Sequence, residues 1–239
     1  MSFNELNSVE HYIIQKLSGV NLNAAGSAGS VVKEDEAVYG SYLWKYRSAT
    51  EMNRPTDQVL LEGELREALI RINPEIAANP ALADEVIYKL RAIFLSAHQT
   101  GLVRANEEFH AWLTGEKTMP FGENNRHVPV RLIDFDTPYH NRYLVTNQYA
   151  VKALETKIPD IVCLINGIPI VVGEAKTPIR PSVSWLDGAH EIHNIYENAV
   201  SQLFVPNLLS FATEGKELYY GSVRCPLEFW SPWRLESEE

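Results

Sequence analysis

Cysteine is scarce in this chain, positive charge is in deficit and long apolar runs are missing. Cys163 and Cys225 are the only cysteines, and no Cys-x-x-Cys spacing occurs; neither a disulfide framework nor a zinc site is expected. Lys and Arg number 21 against 31 Asp and Glu, a net charge of −10. That argues against a protein that coats nucleic acid, which would normally be basic. It leaves open an enzyme whose acids hold a cation. The N-terminus has no charged-then-apolar signal pattern and no apolar run approaches a membrane span, so no membrane partner is expected and the cytoplasm is the default. A nucleotide-binding P-loop is also missing. Gly115-Glu116-Lys117-Thr118 lacks the Gly-x-x-x-x-Gly-Lys-Ser/Thr spacing and reads as an ordinary turn. There are no internal repeats and no low-complexity segment. What is present, 239 residues at 45% hydrophobic and 22% charged, is an ordinary globular balance for one large domain or two small ones.

The informative stretch is 159–176, Pro-Asp-Ile-Val-Cys-Leu-Ile-Asn-Gly-Ile-Pro-Ile-Val-Val-Gly-Glu-Ala-Lys. Two apolar runs, Ile161 to Ile165 and Ile168 to Val172, flank Asn166-Gly167 and predict a β-hairpin. Both runs are apolar at nearly every position, as in a central strand buried on both faces. Its open end carries Asp160, Glu174 and Lys176. Glu174 and Lys176, two apart, share a face. A plain two-residue turn pairs Asp160 with Gly173 and sends Glu174 to the other side. A three-residue loop, Asn166-Gly167-Ile168, or a bulge brings Asp160 opposite Glu174, and that is the expectation. Two carboxylates and a lysine at the rim of a buried sheet suit a hard cation such as Mg²⁺, which favours oxygen ligands. Cation plus lysine can acidify a bound water and stabilise charge growing on phosphorus. The alternative is a rim salt bridge between Lys176 and either acid.

Asp160 followed by Glu174-Ala175-Lys176, with Pro159 before them, resembles the PD-(D/E)xK nuclease signature. Three longer stretches are more specific: RLIDFDTPYHNRYLVTNQYAV (131–151), IPDIVCLINGIPIVVGEAKTP (158–178) and LFVPNLLSFATEGKELYYGS (203–222). Together they resemble the N-terminal nuclease domain of the R (HsdR) subunit of type I restriction enzymes. The resemblance implies an α/β fold: a restriction-endonuclease-like core, with a mixed central sheet between helices and an N-terminal helical layer. It implies Mg²⁺-dependent cleavage of double-stranded DNA, with Mn²⁺ as a substitute. Asp160, Glu174 and the Ala175 carbonyl would hold the metal, and Lys176 would position or activate the attacking water. Glu10 becomes the candidate for a further metal-linked glutamate on an early helix; its other reading is an exposed helix acid. Many R subunits carry a glutamine four residues before a tyrosine, and both affect nuclease function. Here the tyrosine aligns with Tyr196 and the glutamine with Ile192, a departure: the role has passed to a neighbour such as His193 or Glu191, or is absent. Tyr196 reads equally as a core residue. The resemblance also implies methylation (M) and specificity (S) subunits as partners, and an ATP-driven motor. With no Walker motif, ATP would act only through motor domains outside this chain, which then reads as one part of a larger subunit. Two alternatives are a non-catalytic docking domain of the same assembly and a stand-alone repair or junction nuclease.

The remaining segments place these residues. Residues 4–18 predict an amphipathic helix on Val9, Tyr12, Ile13 and Leu17, capped by Ser8 or Asn4. Residues 19–33 predict a loop. Tyr39, Tyr42, Trp44, Lys45, Tyr46 and Arg47 form an aromatic and basic cluster that either packs a satellite core or stacks nucleic acid. Helices are predicted at 57–72, 82–97 and 105–114, and strands at 127–134 and 142–150. Asp134 and Asp136, between those strands, are assigned to a turn. Residues 177–186 predict an extended loop with Pro178 and Pro181, on which Arg180 could meet a phosphate. A helix at 187–204, capped by Asp187, carries a polar stripe of His190, His193 and Glu197. Strands follow at 207–213 and 217–223. The expected organisation is a helical layer at 1–126, a nuclease core at 127–223, and a tail at 224–239 leading toward a motor domain.

Overall fold

The computed structural model describes residues 5–22, 43–177 and 182–233. In chain order it contains α1 (Glu5–Ser18), β1 (Lys45–Tyr46), α2 (Glu62–Ile72), α3 (Pro74–Ala78), α4 (Leu82–Thr100), α5 (Leu102–Leu113), β2 (Thr118–Met119), β3 (Val128–Pro129) and β4 (Tyr143–Asn147). Then come β5 (Val151–Lys152), β6 (Thr156–Lys157), β7 (Ile161–Ile165), β8 (Ile168–Ala175), α6 (Trp185–His190), a π-helical turn (Glu191–Tyr196), α7 (Glu197–Ala199), β9 (Leu209–Thr213), β10 (Leu218–Gly221) and β11 (Ser231–Pro232). Residues 23–33, Tyr39, Tyr42, Pro178, Arg180, Pro181 and the Asn4 cap lie outside the described residues.

Seven strands form a mixed sheet in the order β1-β4-β7-β8-β9-β10-β11. The β1–β4 and β8–β9 pairs are parallel and the others antiparallel. The fold is therefore α/β, with helices on both faces. Alternation along β7 divides the core, because successive side chains point to opposite faces. Val162 and Leu164 join the larger core with Leu65 and Leu69 of α2, Leu90 of α4 and Phe109 of α5. Ile161 and Cys163 join Val145, Phe211 and Ile14 of α1 in a smaller core on the other face. This two-sided burial is why β7 and β8 are apolar throughout. α2 buries one stripe at helical spacing, Leu65, Ala68, Leu69 and Ile72. Pro74 opens α3, where its missing N–H costs nothing.

Several boundaries differ from the sequence reading. The 57–72 helix begins only at Glu62. The strand expected at 127–134 shrinks to Val128–Pro129, paired with β2 outside the main sheet. Asp187 is not the cap of α6. Ser184 is: its Oγ accepts from the Leu186 N–H at 3.2 Å, while the Ser184 N–H donates to Asp187 Oδ2 at 2.8 Å, a reciprocal capping box. The helix after it breaks into α, π and 3₁₀ turns. Both flanks of 127–223 join the main sheet, through β1 and β11. Trp230 is buried, its Nε1–H donating to the Cys225 carbonyl at 3.2 Å.

The β7–β8 hairpin meets the pairing condition by the bulge, the second of the two expected routes, and not by a three-residue loop. Its loop is only two residues, Asn166 (φ 51°) and Gly167 (φ 79°), the positive-φ pair that suits strand twist. The register then shifts between Cys163 and Leu164: Leu164 pairs with Pro169, Cys163 with Val171, and Ile161 with Gly173. Ile170 is the extra residue of a β-bulge. Pro169, which has no N–H to give a ladder, marks the place where central pairing must break. Continuing that register sets Asp160 opposite Glu174. The turn is anchored from below: the buried Asn166 donates to the Leu132 carbonyl at 2.9 Å and accepts from the Arg142 N–H at 2.9 Å.

Candidate active site

Asp160, Glu174 and Lys176 converge at the open end of the hairpin. The Asp160 carboxylate accepts from the Ala175 N–H across the strands at 2.9 Å and from Gln148 Nε2 at 3.3 Å. Glu174 is 3% exposed. Its Oε1 accepts from Lys176 Nζ at 2.9 Å, while Oε2 is buried with no hydrogen-bond partner. The backbone N–H of Lys176 donates to the Thr213 carbonyl on β9 at 2.8 Å, so the lysine leaves a fixed stem. On the other side, Gly188 of α6 lets the helix lie close: a Cβ there would stand 3.3 Å from both Cβ and Cγ of Glu174.

Two further acids reach this end of the sheet. Glu10, 1% exposed on α1, accepts from Asn147 Nδ2 at 2.7 Å and from Gln148 Nε2 at 3.4 Å. The alternative reading of Glu10 as an exposed helix acid is thus corrected. α1 packs on the sheet and carries Glu10 to the end of β4, where Gln148 (φ 54°) bridges it to Asp160. Glu191 accepts from Lys176 Nζ at 2.6 Å through Oε2 and from the Tyr196 hydroxyl at 3.0 Å through Oε1. The rim salt bridge and the carboxylate cluster therefore coexist.

Burial sets the electrostatics. It pushes Glu174 up to about 9, reinforced by the charge of Asp160, and raises Asp160, with the Ala175 N–H opposing. Burial raises Glu10 to about 7 against its bond from Asn147. For Lys176 burial acts downward, but the charges of Glu174 and Glu191 outweigh it and hold the ammonium above its ordinary range. Burial would raise Glu191, and its bonds from Lys176 and Tyr196 reverse that. Tyr196 is raised by burial and then by the Glu174 and Glu191 charges.

Sequence reasoning missed Asn147 and Gln148, though two amides where an apolar strand ends were a readable signal. Glu191 was weighed only as a substitute for the glutamine. Ile192 is fully buried, and His193 turns away from Lys176 toward Glu197, its Nδ1 3.6 Å from Oε2. Asp134 braces a turn, accepting from the Asp136 and Thr137 N–H groups at 3.1 and 2.9 Å. Tyr46 donates to Asn147 Oδ1 at 2.8 Å, and Trp44 stacks edge-on with Tyr143, so these members of the aromatic cluster pack against the sheet.

The residues fit a hard cation. Asp160, Glu174 and the Ala175 carbonyl offer oxygen, and the orphaned Glu174 Oε2 is a buried acceptor in need of a partner. Among the described residues, no group of three or more His, Cys, Asp or Glu side chains forms a ready-made cage, so water would complete the coordination.

The sheet order and this rim define an α/β protein with a restriction-endonuclease-like core. Residues 40–229 match the family described as type I restriction enzyme R protein N terminus, and the chain belongs to that family. It is 28% identical over 185 residues to the type I restriction enzyme HindI endonuclease subunit of Haemophilus influenzae, covering 76% of this chain and 17% of the relative. It is 27% identical over 168 residues to a protein provisionally named the type I restriction enzyme MjaIXP endonuclease subunit, from Methanocaldococcus jannaschii, covering 67% and 16%. The chain thus spans about a sixth of the length of these relatives. Among the described residues no helix is long and apolar enough to cross a membrane.

Proposed function

We propose that this chain carries the nuclease centre of a type I restriction R subunit and hydrolyses double-stranded DNA with Mg²⁺, or Mn²⁺ in its place. The observation that carries the reading is the unpartnered, buried Glu174 Oε2 facing Asp160 across the bulged hairpin, with Lys176 beside it. Asp160, Glu174 and the Ala175 carbonyl would hold the cation, which would supply charge neutralisation and a more acidic water when bound. The Ala175 N–H fixes the rotamer of Asp160. Lys176 stays protonated, orients the attacking water, and stabilises negative charge on the phosphate oxygens as the in-line attack proceeds. Glu10, through Gln148, steadies Asp160. The motor with its ATP, and the M and S subunits, belong to the rest of the assembly, which works where the DNA is, in the cytoplasm.

The test is nicking of supercoiled plasmid with Mg²⁺ or Mn²⁺, beside Asp160→Ala and Lys176→Ala. Each variant is expected to keep its fold and lose about 100-fold or more in rate. Undiminished nicking in both variants overturns the assignment. If no chain nicks, calorimetric titration decides: cation uptake that vanishes in Asp160→Ala supports a centre dependent on its partners. No uptake supports a docking domain that keeps the fold without the chemistry.

A further inference from the structure

Lys176 has two carboxylate partners, and only one of them is free to stay. On the nuclease reading above, on which this inference rests, Glu174 would share its lone pairs with the cation and so weaken its hold on the ammonium. Glu191 has no such second duty. Its Oε2 accepts from Lys176 at 2.6 Å and its Oε1 from the Tyr196 hydroxyl at 3.0 Å, so one oxygen holds the lysine and the other is braced by the tyrosine.

The backbone is built for this pair. In a regular α-helix, residues five apart lie about 140° around the axis from one another and do not meet. Here residues 191–196 form a π-turn, with the Glu197 N–H reaching back five residues to the Ile192 carbonyl. The wider turn brings Glu191 and Tyr196 onto one side. Such turns are rare and frequent at functional sites. Tyr196 is itself buried, so the far end of the clamp is anchored in the core.

We propose that Glu191 is the positioning residue of Lys176: buttressed by Tyr196 across the π-turn, it keeps the ammonium in place while Glu174 serves the cation. It acts through Lys176 and does not ligate the cation.

The test reads the lysine directly. A side-chain NH₃⁺ signal appears in proton–nitrogen spectra only when hydrogen bonds slow its exchange with water, and loss of the signal in Lys176→Ala identifies it. Glu174→Ala, which leaves no acceptor at that position, mimics the withdrawal of Glu174. The Lys176 signal is expected to persist in Glu174→Ala, to vanish in Glu174→Ala/Glu191→Ala, and to return in Glu174→Ala/Glu191→Gln, which keeps an acceptor. In the otherwise wild-type chain, Glu191→Ala is expected to lower kcat for nicking about 10-fold or more, with KM and calorimetric cation affinity unchanged. A signal that survives Glu174→Ala/Glu191→Ala overturns the proposal. So does a 10-fold loss of cation affinity in Glu191→Ala, which would make Glu191 a ligand. If the wild-type chain neither binds cation nor nicks, the nuclease reading fails, while the spectra still decide whether Glu191 holds the lysine.

Discussion

Glu174 shows how a side chain gains chemistry from what surrounds it. Two strands from the end of an apolar hairpin and a close-packed helix remove it from water, and Asp160 sits across from it. A carboxylate so placed holds its proton far above the ordinary range unless a cation takes that place. The closeness depends on Gly188. In Gly188→Ala the new methyl would press on Glu174 Cβ and Cγ at 3.3 Å, while helix propensity would gain about 1 kcal/mol. The expected outcome is a melting temperature that holds or rises and a nicking rate down about 10-fold, since small misplacements of reacting groups are costly. Thermal melting and plasmid nicking on the same preparation check it.

At the scale of elements, the hairpin and α1 share the work. The bulge at Ile170 sets the register that faces Asp160 to Glu174. A one-residue slip would turn every side chain beyond it to the other face. α1 closes the opposite face of the sheet with the fully buried Ile14, against Val145, Ile161, Cys163 and Phe211, and delivers Glu10 to the rim. Ile14→Ala is expected to cost about 2–5 kcal/mol in urea unfolding. It should also speed labelling of Cys163 by a thiol reagent, since burial raises that thiol to about 12 and shields it. Wild-type labelling kinetics in the variant would mean that α1 does not guard this face.

Across the whole molecule, acidity is partly interior. Glu10 and Glu197 are both raised to about 7, first by burial. Each therefore keeps its proton in the folded chain at a pH where the unfolded chain, near 4.5 for a glutamate, has lost it. The folded state binds more protons across that window, so stability is full below it and falls as pH rises from about 4.5 through about 7. Glu197 lies under Arg224, whose N–H donates to both its oxygens at 3.2 Å. Glu197→Gln, which carries no titrating proton, should flatten the fall in melting temperature across this window. An unchanged slope would assign the pH dependence elsewhere.

The amino-acid order by itself determined the helices with long stripes, the two buried strands around Asn166-Gly167, and the acid–acid–lysine pattern of Asp160, Glu174 and Lys176. These features are local: period, turn chemistry and spacing are written along the chain. It also held the condition that Asp160 face Glu174 and its two possible means, a three-residue loop or a bulge, but not the choice between them, because a bulge depends on which neighbours a strand must pair with on both sides. Only the tertiary structure decided that Glu10 is buried beside Asn147 and Gln148, since the packing of α1 on the sheet joins residues more than a hundred positions apart. Likewise, only the folded helix could choose Glu191 over His193 as the neighbour of Lys176. At α-helical spacing Glu191 and Tyr196 diverge, and it takes a π-turn to set them together, with Glu191 on Lys176.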